Sequence, residues 1–225
     1  MINIAVDGTS ASGKSSVCRE LAKKLGILHI NTGELYRTVA YYFYSKDIDI
    51  TENFEQYISD IDLSININNN KFEVLINGQN VSDKIHNPQI AEITSVIAQN
   101  AKIREVIKRM QLDIANNFDV ILEGRDIGTE ILPNAKHKFF ITASLDERAR
   151  RRYLQLIEQG KEAKFNDVRD SISARDFADR TRKISPLRTP KDAIYVDTTR
   201  MSFDEVVNFV YNEIIKKEKD TCITL

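Results

Sequence analysis

The nine residues GTSASGKSS, Gly8 to Ser16, follow at once on the apolar run Ile2, Ile4, Ala5 and Val6. The run reads as a buried strand. After the loop, Val17, Cys18, Leu21, Ala22 and Leu25 recur at helical spacing and mark one face, and Gly26 stands where a helix stop is favoured. Another apolar run, Ile27 to Ile30, comes next. A chain that goes strand, loop, helix, strand over so few residues is committed to a βα unit. Further apolar runs at Val120 to Leu122, Phe139 to Thr142 and Ala193 to Val196, with amphipathic stretches between them, extend the alternation. The expected class is α/β, with a central parallel sheet flanked by helices.

Residues 61–82 break the pattern. Leu63, Ile65 and Ile67, then Phe72, Val74 and Ile76, alternate at period two, with Asn68-Asn69-Asn70 and Asn77-Gly78 as turn signals. A small antiparallel sheet inserted into the α/β body is expected there. The tail from Lys216 to Leu225 is charged and then loses its pattern, so it is expected to fray.

Gly8, Gly13, Lys14 and Ser15 fit GxxxxGK[ST] in the setting that gives the motif its meaning, between a strand and a helix. Glycines let the backbone turn successive N–H groups toward a polyphosphate, and the small side chains of Thr9, Ser10, Ala11 and Ser12 leave room for it. Lys14 would reach the β and γ phosphates, and the Ser15 hydroxyl would serve Mg²⁺, with Ser16 beside it as a second candidate. The loop implies a nucleoside triphosphate, and the same loop serves GTPases, motor ATPases and kinases.

Three arginine-bearing clusters bear on that choice. NTGELYR, Asn31 to Arg37, follows the second strand, with Thr32 as the expected N-cap. EGRDIGT, Glu123 to Thr129, follows the third apolar run, at a strand end where ligands of open α/β sheets collect. Between Arg148 and Arg182 there are eight arginines. In helices, Arg148, Arg151 and Arg152 share one face, as do Arg175, Asp179 and Arg182. Two helices joined by EQGKEAKFND could close on an anion as a lid; alternatively, pairs such as Asp176 with Arg180 and Asp179 with Arg182 merely stitch a surface helix. Three consecutive arginines exceed what stitching needs, which favours a lid that supplies charge to phosphoryl transfer.

Other totals narrow the field. With 32 Lys and Arg against 33 Asp and Glu, the formal charge is −1, so no global basic field points to nucleic acid or a bilayer surface. No uninterrupted apolar run approaches the roughly 18 residues of a membrane span, and the N-terminus opens without a leader pattern, so a soluble cytoplasmic protein is expected. Cys18 and Cys222 form no metal or redox motif, Cys18 reading as a small core residue. His29, His86 and His137 are too scattered for a metal site, so no zinc is implied.

Together GTSASGKSS, TGELYR, the inserted sheet at about 61–87, EGRDIGT, ERARRR and RDFADRTRKISPL (Arg175 to Leu187) resemble the bacterial cytidylate kinases, nucleoside monophosphate kinases of P-loop fold. The resemblance runs over nearly the whole chain. It implies one P-loop kinase domain over residues 1–225, with a core at about 1–60, 88–145 and 185–225, a monophosphate-binding insert at about 61–87 and a lid at about 146–184. It also implies transfer of the γ-phosphoryl group of ATP to CMP or dCMP with Mg²⁺, by a monomer. On matching positions, Arg37, Arg125 and Arg182 would hold the monophosphate, with Thr32 beside them. Asp179 and Arg175 would hold the sugar, and Ser95, Arg104 and Asp126 would read the base. Lys14, Arg152 and Arg182 would act on the transferring group. A carboxylate suits the exocyclic amino group of cytosine and an arginine suits its ring acceptors, whereas uracil would set O4 against the carboxylate. The chain departs from the family pattern at Ser15-Ser16, where Gly-Thr is common, and at Asn31 and Glu123, where aspartate is usual. Two other readings stay open: a monophosphate kinase for another base such as UMP, or a small metabolite, and a nucleotide-switched binding module. The inserted sheet with Asp126 and Arg104 speaks against the first, and the lack of an [NT]KxD guanine reader against the second.

Overall fold

The computed structural model describes residues 1–52, 54–68 and 71–222. In chain order the elements are β1 (Asn3–Gly8), α1 (Lys14–Leu25), β2 (Leu28–Asn31), α2 (Thr32–Ser45), a 3-10 segment (Phe54–Asp60), β3 (Leu63–Asn68), β4 (Lys71–Ile76), β5 (Gln79–Asn80), α3 (Pro88–Ile97), α4 (Ala101–Asn117), β6 (Val120–Gly124), a π-helical turn (Ile127–Ile131), β7 (His137–Thr142), α5 (Leu145–Glu158), α6 (Phe165–Thr181), β8 (Ile194–Asp197) and α7 (Phe203–Cys222). All five apolar runs are strands, and the fold is α/β with an added antiparallel sheet. The chain forms two compact units, Met1–Ile2 with Gly26–Leu122, and Asn3–Leu25 with Glu123–Leu225.

In the first unit, α2 lays Leu35, Val39 and Phe43 against Val74 and Ile76 of β4 and against Ile90, Ile97, Ile103 and Ile107 of α3 and α4. Phe43 meets Phe54 edge to face with ring centroids 5.3 Å apart, and side chains of this size each contribute about 1.5–3 kcal/mol when buried. The inserted sheet is present: β3 pairs antiparallel with β4, which pairs with β5. The β4–β5 turn has Asn77 at φ +49° and Gly78 at φ +75°, the left-handed pair that matches strand twist, as the Asn-Gly signal implies. Of the other turn signal, Asn69 and Asn70 lie outside the described residues.

Helix starts in this unit use asparagine. Asn31 Oδ1 accepts from Gly33 N at 3.1 Å, so Asn31 is the N-cap of α2 and Thr32 is already helical, one residue away from the expectation. Asn and Thr both cap well, and here the amide oxygen of Asn31 takes the orphan donor. Asn87 caps α3 through Ile90 N at 2.8 Å, and Asn100 caps α4 through Lys102 N at 3.0 Å.

In the second unit, β1 pairs in parallel with β7, from Ile4 opposite His137 to Gly8 opposite Ile141, and β7 pairs in parallel with β8. Both β1 and β7 are buried almost throughout, as strands covered on two faces are. Val17, Cys18, Leu21 and Ala22 of α1 and Val206, Val207, Val210 and Ile214 of α7 form its core with them. Cys18 is a core residue, as expected. Helix α7 runs unbroken to Cys222, through most of the tail expected to fray; residues 223–225 lie outside the described residues.

Candidate active site

The apolar run that opens the chain ends at Val6, yet β1 continues through Asp7 and Gly8. Gly8 has φ +153°, and a Cβ there would sit 1.8 Å from the Ile141 carbonyl oxygen on β7. Only glycine allows the strand to stay paired right up to the loop. Asp7 is buried, and its carboxylate accepts from Ile127 N and Gly128 N, each at 2.8 Å. Burial outweighs those two amides and pushes its pKa from 3.8 up to about 6. A strand that carries an aspartate inward escapes an apolar-run reading, and the charged residue directly before the glycine loop was the available signal.

Residues 9–13 curl between β1 and α1, with Ala11 at φ +57°, an uncommon conformation for a residue with a Cβ. Lys14 is buried at the first turn of α1 and donates to Thr9 O at 3.2 Å. Burial first, and then Arg125, lowers its pKa from 10.5 to about 8. Thr9 Oγ1 lies 2.8 Å from Thr142 Oγ1, and the buried Ser12 hydroxyl has no hydrogen-bond partner. Ser15 Oγ donates to Glu123 Oε1 at 2.6 Å, while Ser16 is exposed.

The EGRDIGT segment and the end of α6 meet at this loop. Arg125 donates through Nε to Asp179 Oδ2 at 2.7 Å and through Nη2 to Ser10 Oγ at 3.2 Å. Arg182, with little of its side chain exposed, donates to Ser185 O at 2.7 Å, reaches Asp126 Oδ1 at 3.4 Å and lies 3.8 Å from Asp179 Oδ1. Arg125, Asp126, Asp179 and Arg182 are therefore one cluster, joined to the loop through Ser10. Arg175 sits exposed on α6, and Arg152 sits exposed on α5, donating to Gln155 Oε1 at 2.8 Å.

The arginine-rich helices divide their labour differently from the expectation. Arg148 is buried and bound to Asp176, so Asp176 pairs across to α5 and not with Arg180 of its own helix. Arg151 donates to Glu147 Oε1 at 2.8 Å and to Thr198 O at 2.7 Å, and Arg150 makes a two-pronged pair with Glu147. Those contacts hold Glu147 down to a pKa of about 2, with Arg150 the larger cause. Stitching thus accounts for Arg150 and Arg151, and of the three arginines read as one anion-facing set only Arg152 lies in the open.

The remaining candidates lie in the first unit. Thr32 is buried at the start of α2, and Arg37 donates to Ile85 O at 3.1 Å. Arg104 is buried, donates to Ala98 O at 3.0 Å, and its guanidinium stands 5.6 Å from the Tyr36 ring centroid. Tyr36 thereby ties α4 to the NTGELYR helix, a contact the sequence did not signal. Ser95 is exposed and donates to Ala91 O of its own helix at 3.1 Å.

A gluconokinase from Sinorhizobium meliloti shares the fold, with a TM-score of 0.50 at 13% identity over 99% of this chain and 97% of that one. The cytidylate kinase from Caldanaerobacter subterraneus subsp. tengcongensis is 41% identical, covering 97% of this chain and 96% of its own. The cytidylate kinase from Bacillus anthracis is 37% identical, covering 95% and 96%. The family model described as cytidylate kinase matches residues 4–216, a span that takes in the glycine loop, the Arg125–Asp179 cluster and both arginine-rich helices, and the chain belongs to the cytidylate kinase family.

Proposed function

We propose that the protein transfers the γ-phosphoryl group of ATP to CMP or dCMP, giving ADP and CDP or dCDP. The observation that carries this reading is the arginine–carboxylate cluster hydrogen-bonded onto the glycine loop through Ser10. It supplies a second anion site beside the first, which a nucleotide switch does not need. The loop residues Gly8 to Ser16 take the triphosphate: the Ser12 hydroxyl is a buried polar atom in want of a partner, and Lys14 brings a positive charge. Ser15 Oγ and the Glu123 carboxylate are hard oxygens already side by side, a donor set that fits Mg²⁺. Bound there, the ion would neutralise phosphate charge, and Ser15 is the residue assigned to hold it.

The acceptor oxygen of a nucleoside monophosphate is already anionic near neutral pH, so no general base is required, and the work of the chain is alignment and charge neutralisation. Arg37, Arg125 and Arg182 bind the acceptor phosphate, with Thr32 beside them. Asp179 and Arg175 take the sugar, and Ser95, Arg104 and Asp126 read the base. Lys14, Arg152 and Arg182 stabilise the transferring group. Arg125 is held by Asp179 and Arg182 lies against Asp126, carboxylates that keep the guanidinium groups in place and that a phosphate would displace. Among the described residues no helix is long and apolar enough to cross a membrane, and the near-neutral charge suits a cytoplasmic monomer that takes small molecules and neither nucleic acid nor membrane.

The test is ADP production from ATP with CMP, dCMP, UMP, AMP and GMP in turn. CMP and dCMP are expected to drive turnover well above the others, and an ADP rate indifferent to every acceptor would sink the reading. Asp126→Asn is expected to lower the CMP to UMP ratio of kcat/KM by about tenfold to a hundredfold; an unchanged ratio removes Asp126 from base reading.

A further inference from the structure

The Arg148–Asp176 pair has no part in the assignments above, yet it grips the triphosphate loop by its main chain. Asp176 Oδ1 accepts from Ser10 N at 2.9 Å, and Arg148 Nη1 donates to Ser10 O at 2.9 Å and to Asp176 Oδ2 at 2.5 Å. Arg148 Nε is anchored on Ala143 O at 2.9 Å, where β7 gives way to α5. Both side chains are nine-tenths buried. One carboxylate from α6 and one guanidinium from α5 therefore satisfy both main-chain groups of a single loop residue. The Ser10 hydroxyl meanwhile accepts from Arg125, whose Nε is held by Asp179 one turn along from Asp176 on α6.

We propose that Arg148 and Asp176 are positioning residues for the donor phosphate loop, setting the Ser10 peptide, while the Ser10 hydroxyl separately orients Arg125 for the acceptor. The proposal rests on the kinase reading, but its first half concerns ATP alone. The main-chain clamp fixes where the loop amides after Ser10 point, and those amides bind the triphosphate by orientation as much as by charge. A buried ion pair is a costly way merely to fill space, since apolar residues of the same volume do that as well or better. Here the pair makes three main-chain contacts, two of them on the loop.

The experiment compares three variants with the wild type: Asp176→Asn, the double variant Arg148→Met with Asp176→Leu, and Ser10→Ala. Affinity for ATP is measured by calorimetry without acceptor, KM for ATP and for CMP by steady-state assay, and folding by melting. Asp176→Asn is expected to weaken ATP binding and raise the KM for ATP about tenfold, leaving the KM for CMP within about twofold. The double variant refills the volume and is expected to melt near the wild type while keeping the ATP defect. Ser10→Ala, which removes the contact to Arg125, is expected to raise the KM for CMP by a larger factor than the KM for ATP. A folded double variant that binds ATP like the wild type overturns the positioning role, even if Asp176→Asn fails to fold. Should the wild type bind ATP but fail to use CMP, the acceptor assignment falls, and ATP affinity still judges the clamp.

Discussion

Asp7 shows how much one side chain can decide. It follows the buried apolar residues Ile4, Ala5 and Val6 in β1, where an unpaired carboxylate would be costly. The amides of Ile127 and Gly128 take up its oxygens, and the absence of a side chain at Gly128 lets the backbone come so close: a Cβ there would lie 3.3 Å from Asp7 Oδ2 and 2.8 Å from Pro190. The contact fixes the turn that begins directly after Asp126, so Asp7 orients the proposed base reader from behind. Its pKa is raised from 3.8 to about 6, which means the folded chain holds this proton more tightly than the unfolded chain. The Asp7 contribution to stability is therefore largest below pH 4 and declines as pH rises to about 6, by about 3 kcal/mol. Urea titrations of the wild type and Asp7→Asn between pH 4 and 7 should show their stability difference changing by that order across the window. Parallel curves would refute the assignment.

At the level of elements, helices α5 and α6 carry seven of the fifteen arginines, and their surroundings sort them into different jobs. Arg148 and Arg151 are taken up by contacts to Ser10, Asp176 and Thr198, and Arg150 by Glu147 on an exposed face. Arg152, exposed and hydrogen-bonded to Gln155, is the one of the four proposed to act on the transferring group. Arg152→Ala is expected to lower kcat about a thousandfold, as loss of an arginine that neutralises transferring phosphate does, while KM for CMP moves only a few-fold. Arg150→Ala should stay within about twofold of the wild type, because an exposed pair is worth little. A steady-state assay of the two variants side by side decides the point: equal effects would return both arginines to surface stitching.

For the whole molecule the expectation concerns linkage. Any ligand that binds only the folded chain stabilises it by mass action, so CMP or dCMP at about a hundred times its Kd should add about 2.7 kcal/mol and raise the melting temperature by about 5 °C or more, while UMP at the same concentration should not. Thermal melts with each monophosphate in turn measure this, and equal shifts for CMP and UMP would count against base reading. The α/β class, the five strands at the apolar runs, the Asn77-Gly78 hairpin and the glycine loop with Lys14 were legible in the sequence, because each is set by local periodicity or by the backbone needs of a few consecutive residues. Which arginine meets which carboxylate was not. Asp176 reads as a partner for Arg180 four positions along, yet it pairs with Arg148 twenty-eight positions back and holds Ser10 a hundred and sixty-six away. Ion pairs are short-ranged and indifferent to chain order, so only the packed helices and strands could select among the many charges on offer. By itself the sequence determined the scaffold and the triphosphate loop; tertiary packing decided which arginines hold the loop and which stay exposed.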